Sequence, residues 1–223
     1  KAFYICDWTF GTMYAIHLEP DGASYSGTKE EFVSRTPLPL TDMTVGHDGA
    51  IYFTVGGRGG QSELYRVTYA GSEPTDPVDA HDATGAAERK LRRDLETLHR
   101  TVADSRGAID KALPFLGHPD RFIRYAARIA LEHQPVELWQ EEALALTDPL
   151  ARITAAVAVA RQAEPAAQQA VLASLEAIDP TDLDTAATID LVRAYELALV
   201  RLGEPSDEWK QRIASRIGPV FPS

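Results

Sequence analysis

The first third of the chain alternates short apolar runs with turn residues. Residues 2–8 are aromatic and β-branched, residues 13–18 alternate, and residues 24–33 are more polar, as in an outer strand. With the apolar runs that follow, they predict six strands, at residues 2–8, 13–18, 24–33, 41–45, 50–55 and 64–69. Asp48-Gly49 separates two of them, and Asp-Gly between apolar runs is a strong hairpin signal because glycine accepts positive φ. Strands of this length at short, regular spacing predict an antiparallel sandwich, barrel or propeller.

A change of periodicity marks the end of the β-rich part. Residues 71–86 are small, acidic and Pro-containing, without periodicity, which predicts a linker. Apolar residues then recur at helical spacing, beginning with Leu91 and Leu95. Among the helices expected after these, one covers residues 135–146. We therefore expect a β-meander domain at residues 1–70 and an α-helical domain at residues 87–223.

The helical part contains an internal repeat. Three residue types recur after 28 positions, as Asp120 and Asp148, Arg124 and Arg152, and Ala127 and Ala155. Each Asp is placed to cap a helix, and the Arg four residues later is expected to reach back toward a carboxylate or a helix end. Because a helix pair cannot bury both of its faces alone, the repeat predicts an α-solenoid of stacked helix pairs.

Composition narrows the possible partners and cofactors. A net charge of −11 over 223 residues argues against nucleic-acid and anionic-membrane partners, which need a basic face. Cys6 is the only cysteine, so a disulfide or a CxxCH haem-attachment motif within this chain is impossible. No apolar run approaches the ~18 residues of a membrane span. The six histidines lack HxxxH or HExxH spacing, so we expect no metal site.

Longer stretches of sequence carry a family resemblance. PLPLTDMTVGHDGAIYF and LYRVTY resemble the last blades of a glucose/sorbosone-dehydrogenase-like β-propeller. His118-Pro119-Asp120, followed by Arg124 and Ala126-Ala127, resembles HEAT repeats related to the phycobilisome-lyase repeat. Together with DWTFGTMYAIHLEPDGASY and DRFIRYAARIALEH, these stretches resemble a family of large bacterial secreted proteins that join such a propeller to HEAT repeats and a CxxCH cytochrome c domain. The resemblance covers most of residues 1–160.

The resemblance implies a specific architecture and function. The chain is expected to be an α+β multidomain fragment, with antiparallel β-propeller blades followed by an α-solenoid of HEAT-like helix pairs. The full-length parent would be a periplasmic or secreted quinoprotein-like dehydrogenase that oxidises a sugar or polyol. Pyrroloquinoline quinone (PQQ) and haem c would belong to that parent and not to this chain. Its partners here would be the remaining blades and the cytochrome c domain, and the fragment itself would be inactive.

The strand order of a propeller blade would bring three loops to one ligand face. The loops are residues 7–11, 37–42 and 56–62, and no catalytic residue can be assigned among them. Their candidate ligand contacts are Asp7, Trp8, Asp42, Arg58 and Gln61.

Each of these candidates has a structural alternative. Asp42 either contacts a ligand near the propeller axis or caps its own turn amides. Arg58 either clamps a carboxylate or quinone oxygen or lies at a solvated hairpin tip. Asp7 and Trp8 form either a ligand platform or a packing contact at a strand end. Gln61 either hydrogen-bonds a sugar hydroxyl or is solvated.

Two further hypotheses remain open beside the dehydrogenase. In the first, propeller and helices form a non-catalytic binding scaffold for a glycan or a protein partner. In the second, the helical repeats belong to an enzyme acting on nucleic acid. That enzyme would need a basic stripe on the concave helical face, and the net charge counts against it.

Overall fold

The chain folds into two compact units. The computed structural model describes the following residues: 2–57, 59–76, 79 and 81–220. Unit 1 is Lys1–Gly85 and holds all of the β-structure, whereas unit 2 is Ala86–Ser223 and is helical. Within the described residues, no helix combines the length and the apolar character needed to cross a membrane.

Unit 1 consists of two three-stranded antiparallel sheets. The strands are β1 (Ala2–Asp7), β2 (Thr12–Asp21), β3 (Ser24–Ser34), β4 (Leu40–Val45), β5 (Ile51–Gly57) and β6 (Gly60–Val67). Their order is β1-β2-β3 in one sheet and β4-β5-β6 in the other. Gly49 has φ of +76° in the turn between β4 and β5, as the Asp-Gly signal predicts. All six predicted strands are confirmed, with ends that differ by a few residues.

Both sheets contribute to one apolar core. Met13 from β2 is buried together with Phe53 and Val55 from β5. Leu38 and Leu40, at the start of β4, complete the cluster. Alternate residues of each strand point to the same face, so the period-two apolar pattern supplies this core from both sheets.

Unit 2 contains the α-helices of the chain. They are α1 (Ala86–Glu96), α2 (Ser105–Ala112), α3 (Arg121–Glu132), α4 (Gln140–Leu144), α5 (Pro149–Gln162), α6 (Gln168–Glu176), α7 (Thr185–Leu202) and α8 (Asp207–Ile217). Helices α3, α5 and α7 pack in series, α3 against α5 and α5 against α7. Ala127, Ala155 and Ala198 are fully buried in these helices, where small side chains let neighbouring backbones approach closely.

The repeated Asp and Arg residues perform the same local task in both copies. The Asp120 carboxylate accepts hydrogen bonds from first-turn amides of α3, and Asp148 does so in α5. Arg124 Nη1 donates to the carbonyl oxygen of His118 at 2.7 Å, and Arg152 Nε donates to a carbonyl six residues before it. The predicted caps and the backward-reaching arginines are therefore confirmed.

The prediction of β-propeller blades is wrong. The described residues form two small three-stranded sheets and no closed barrel or propeller. A propeller blade needs four strands, whereas each sheet here stops at three. After β6 the chain continues into irregular structure at residues 68–76, and no described residue adds a fourth strand to that sheet.

The expected α-solenoid of HEAT-like helix pairs is also not supported. About 48% of the chain is helical, but the helices do not clearly form a solenoid. Residues 135–146, predicted as one helix, form a short 3₁₀ turn at Val136–Leu138 followed by the five-residue α4. Trp139, between them, has φ of −140°, which is outside the helical region and interrupts the helix. The helix pairs are therefore uneven in length, which removes the regularity of a solenoid.

Candidate functional site

Asp7 and Trp8, the first two candidate residues from the sequence, form hydrogen bonds within unit 1. The Asp7 carboxylate accepts hydrogen bonds from the amides of Thr9 and Phe10, each at 3.0 Å, and so caps its own turn. The Trp8 indole Nε1 donates to the carbonyl of Gly56 at 3.1 Å. Trp8 therefore connects the turn after β1 to the end of β5. The amide of Gly56 in turn donates to the carbonyl of Pro39 at 3.0 Å, so all three predicted loops meet here.

Asp42 lies on β4, close to the only cysteine. Its Oδ1 accepts a hydrogen bond from the amide of Met43 at 2.8 Å. Burial, and secondarily the negative charge of Asp42, raises the pKa of the Cys6 thiol.

Gln61 is exposed on β6. Arg58 lies outside the described residues, so its predicted role as a clamp has no structural account.

A polar cluster that the sequence did not suggest stabilises the second sheet. Arg66 Nη2 donates to Asp48 Oδ2 at 2.8 Å, and the Tyr52 hydroxyl donates to the same oxygen at 2.9 Å. These bonds, that from Arg66 first, lower the pKa of the Asp48 carboxyl to about 2. Arg66 Nε also donates to the Tyr52 hydroxyl at 2.9 Å. The three side chains therefore connect β5, β6 and the turn before β5, which stabilises this hairpin.

The most distinctive surface in unit 2 is one face of α3. Arg121, Arg124, Tyr125 and Arg128 follow one another at i, i+3, i+4 and i+7 and so lie along one side of the helix. Tyr125 is 57% exposed although it is a large aromatic residue. The Arg128 guanidinium lies over the Tyr125 ring, 5.1 Å from its centroid. We call these four residues the arginine face.

The arginine face forms one wall of a groove that crosses three helices. The hollow has a volume of about 250 Å³. Ile153, Thr154 and Val157 from α5 line its floor, and Asp190 and Arg193 from α7 line the far side. The Thr154 hydroxyl is satisfied by a backbone carbonyl of its own helix. We call this hollow the basic groove, since four arginines and one aspartate line it.

The arginines of the groove differ in how far their charge is neutralised. Arg128 pairs with Glu132, and Arg193 pairs with Glu196. Arg121 lies over the ring of Phe122, and Arg124 donates to backbone carbonyls. Among the described residues, neither Arg121 nor Arg124 has a carboxylate within ion-pair distance. Two guanidinium charges therefore remain available to an anionic ligand, in a chain whose net charge is −11.

The arginine face was not predicted from the sequence, although its signal was present. Of its four residues, Arg124 alone was predicted, as part of the repeat. The exposed side of α3 carries three arginines and a tyrosine at helical spacing, and this pattern is visible in RFIRYAAR. The contribution of Arg193, from a helix about seventy residues away, requires the tertiary packing.

Three larger hollows in unit 2 have a different character. One, of about 740 Å³, is lined largely by alanines with three glutamates. Another, of about 890 Å³, is lined by apolar residues and threonines with Arg193 and Glu196. A third, of about 540 Å³, is lined by leucines and half-buried Phe115 with Lys111 and two aspartates. None of the three combines an exposed aromatic ring with more than one arginine, so the basic groove is the stronger candidate.

Comparisons with protein-family models, with curated proteins and with solved structures find no match to this chain. The resemblance to the dehydrogenase family therefore stays a prediction. Among the described residues, no group of three or more His, Cys, Asp or Glu side chains is arranged to hold a metal ion.

Proposed function

We propose that this chain is a non-catalytic binding scaffold that holds a protein partner in the basic groove of unit 2. The observation that carries the proposal is the arginine face, where exposed Tyr125 lines the groove together with Arg121 and Arg124, which have no carboxylate within ion-pair distance among the described residues. Tyrosine and arginine are the residue types that most often dominate binding energy at protein interfaces, together with tryptophan.

The groove offers both elements that a protein interface uses. Its floor of Ile153 and Val157 and the ring of Tyr125 supply apolar contact, whereas the guanidinium groups supply directional hydrogen bonds. The three helices that form the groove are packed through buried side chains, so the surface is pre-organised. A pre-organised surface loses less entropy on binding than a flexible one.

An unbiased peptide-display selection against the purified chain tests the proposal. We expect short random peptides to be enriched and their binding to be weakened in Tyr125→Ala and Arg121→Glu variants. Arg100→Glu is the matched control, because Arg100 is exposed in unit 2 and does not line the groove. Circular dichroism establishes that each variant is folded. Absence of enrichment, or equal binding by the groove variants and the control, would contradict the proposal.

The dehydrogenase hypothesis remains a separate proposal about the full-length parent. It depended on a ring of propeller blades, which the described residues do not form. Its test is an activity assay: the parent protein supplied with PQQ and aldoses should reduce a redox dye. The absence of dye reduction would argue against it.

A further inference from the structure

We infer that the partner segment held in the basic groove is acidic and extended, with its carboxylates paired to Arg121 and Arg124. This inference rests on the proposed function, because it specifies the chemistry of the partner at the same surface. Its basis is that Arg121 and Arg124 both line the groove, and that neither guanidinium group has a carboxylate within ion-pair distance among the described residues. The guanidinium fork matches the two oxygens of a carboxylate and donates two parallel hydrogen bonds to them.

The spacing of Arg121 and Arg124 sets the spacing of carboxylates that they fit. The two arginines are three residues apart, which corresponds to about 4.5 Å along the helix axis. Residues two positions apart in an extended chain point to the same side and lie about 6.6 Å from each other, a difference that the long arginine side chains bridge. A segment with acidic residues at alternate positions therefore places one carboxylate at each arginine.

The lining of the groove also indicates an aromatic or aliphatic residue beside the carboxylates. The Tyr125 ring is exposed on its outer side, and Arg128 lies against it. Half-buried Val157 continues this apolar surface onto α5. An apolar side chain in the bound segment would cover the ring and exclude water from the neighbouring ion pairs, which strengthens them.

The charge distribution favours an acidic protein segment over nucleic acid. Nucleic-acid binding is driven by neutralising several phosphates, with a basic surface that follows the backbone. Here Arg128 and Arg193 are already paired with glutamates, Asp190 lines the same groove, and the chain carries −11 overall. Two available guanidinium groups suit two carboxylates and offer little to a polyphosphate chain.

Fluorescence anisotropy with defined probes tests the inference. The probes are a labelled peptide with alternating glutamates and one leucine, the same peptide with glutamine at each glutamate, and a labelled oligothymidine. We expect the acidic peptide to bind about tenfold more tightly than its glutamine version at low salt, and less so at physiological salt. Arg121→Glu should weaken it about tenfold, whereas Arg100→Glu should change it less than about twofold.

The Arg121→Glu variant is suited to this test because it should fold normally. Arg121 is the first residue of α3, where a negative side chain interacts favourably with the helix dipole. Equal binding of the acidic and glutamine peptides, no binding of the acidic peptide, or tighter binding of oligothymidine would each overturn the inference. If display selection still yields non-acidic peptides that need the groove, the proposed function stands and the acidic partner alone is wrong.

Discussion

Glu132 connects α3 to α5, and its replacement should lower the stability of the helices that form the basic groove. Its side chain is 5% exposed. Oε2 accepts a hydrogen bond from Arg161 Nε on α5 at 2.9 Å, and Oε1 lies 3.2 Å from Arg128 Nη1 on α3. One nearly buried carboxylate thus contacts arginines of two neighbouring helices, by a hydrogen bond to Arg161 and by an ion pair without hydrogen-bond geometry to Arg128 of the arginine face.

The cost of Glu132→Gln follows from these contacts. A hydrogen bond between charged groups contributes about 1.5–3 kcal/mol. The Arg161 side chain is 46% exposed, so solvent screens part of its interaction, whereas Arg128 is 16% exposed and screened less. We therefore expect the free energy of unfolding to fall by about 2 kcal/mol. Arg161→Gln, which leaves the Arg128 contact in place, should cost about 1 kcal/mol by the same screening argument.

A double-mutant cycle measured by urea unfolding tests this account. Far-ultraviolet circular dichroism follows the helices of unit 2, and the double variant should be less destabilised than the sum of the single variants by about 1 kcal/mol. Glu88→Gln, an exposed position on α1, is the control and should stay within about 0.5 kcal/mol of the original chain. Additivity of the two single changes within about 0.3 kcal/mol would refute the coupling between Glu132 and Arg161.

Three further predictions concern single side chains. Asp120→Ala should lower the free energy of unfolding of the helical unit by about 1 kcal/mol in urea titrations, because it removes the cap of α3; an unchanged midpoint would contradict the capping role. Arg66→Gln should raise the pKa of Asp48, followed by carboxyl NMR, from about 2 toward 3.8; stability from this carboxyl is complete above 3.8 and is lost as the pH falls through about 2. Burial raises the pKa of Tyr195 from 10.0 to about 12, so stability should fall as the pH rises between these values; Tyr195→Phe should abolish this loss in alkaline unfolding curves, and persistence of the loss would assign it elsewhere.

Local structure was predictable where a short sequence signal has a short-range physical cause. The Asp48-Gly49 turn forms because glycine accepts positive φ there, and the caps at Asp120 and Asp148 form because a carboxylate can reach amides two or three residues away. The backward contact of Arg124 follows from the same geometry. None of these features requires information from a distant part of the chain.

The number of strands in each sheet was not predictable in this way. A fourth strand depends on long-range pairing, and the residues after Val67 do not supply one to the second sheet. The interrupted helix at residues 135–146 likewise looked continuous from its apolar pattern. The structure breaks it at Trp139, whose side chain is buried and donates a hydrogen bond to the carbonyl of Gln134. Tertiary packing of one large side chain overrides the local helical preference here.

The candidate site residues show the same difference between local signals and long-range packing. Residues chosen for the loops of unit 1 depended on the blade topology, and the carboxylates of Asp7 and Asp42 accept hydrogen bonds from amides one to three residues further along the chain. The arginine face of α3 was readable from its spacing. Its association with Arg193 on α7 was not, because the packing of α3, α5 and α7 in series determines which surfaces meet.

NMR mapping of the bound acidic peptide tests the central claim most directly. Backbone amide shifts of the isotope-labelled chain are recorded as the peptide is added, at a salt concentration low enough to preserve ion pairing. The account predicts that the largest changes cluster at residues 121–128, with a second group around Arg193, and that Arg121→Glu suppresses both. Changes confined to unit 1 or to helices other than α3, α5 and α7, or no changes at all, would contradict the assignment of the basic groove as the partner-binding surface.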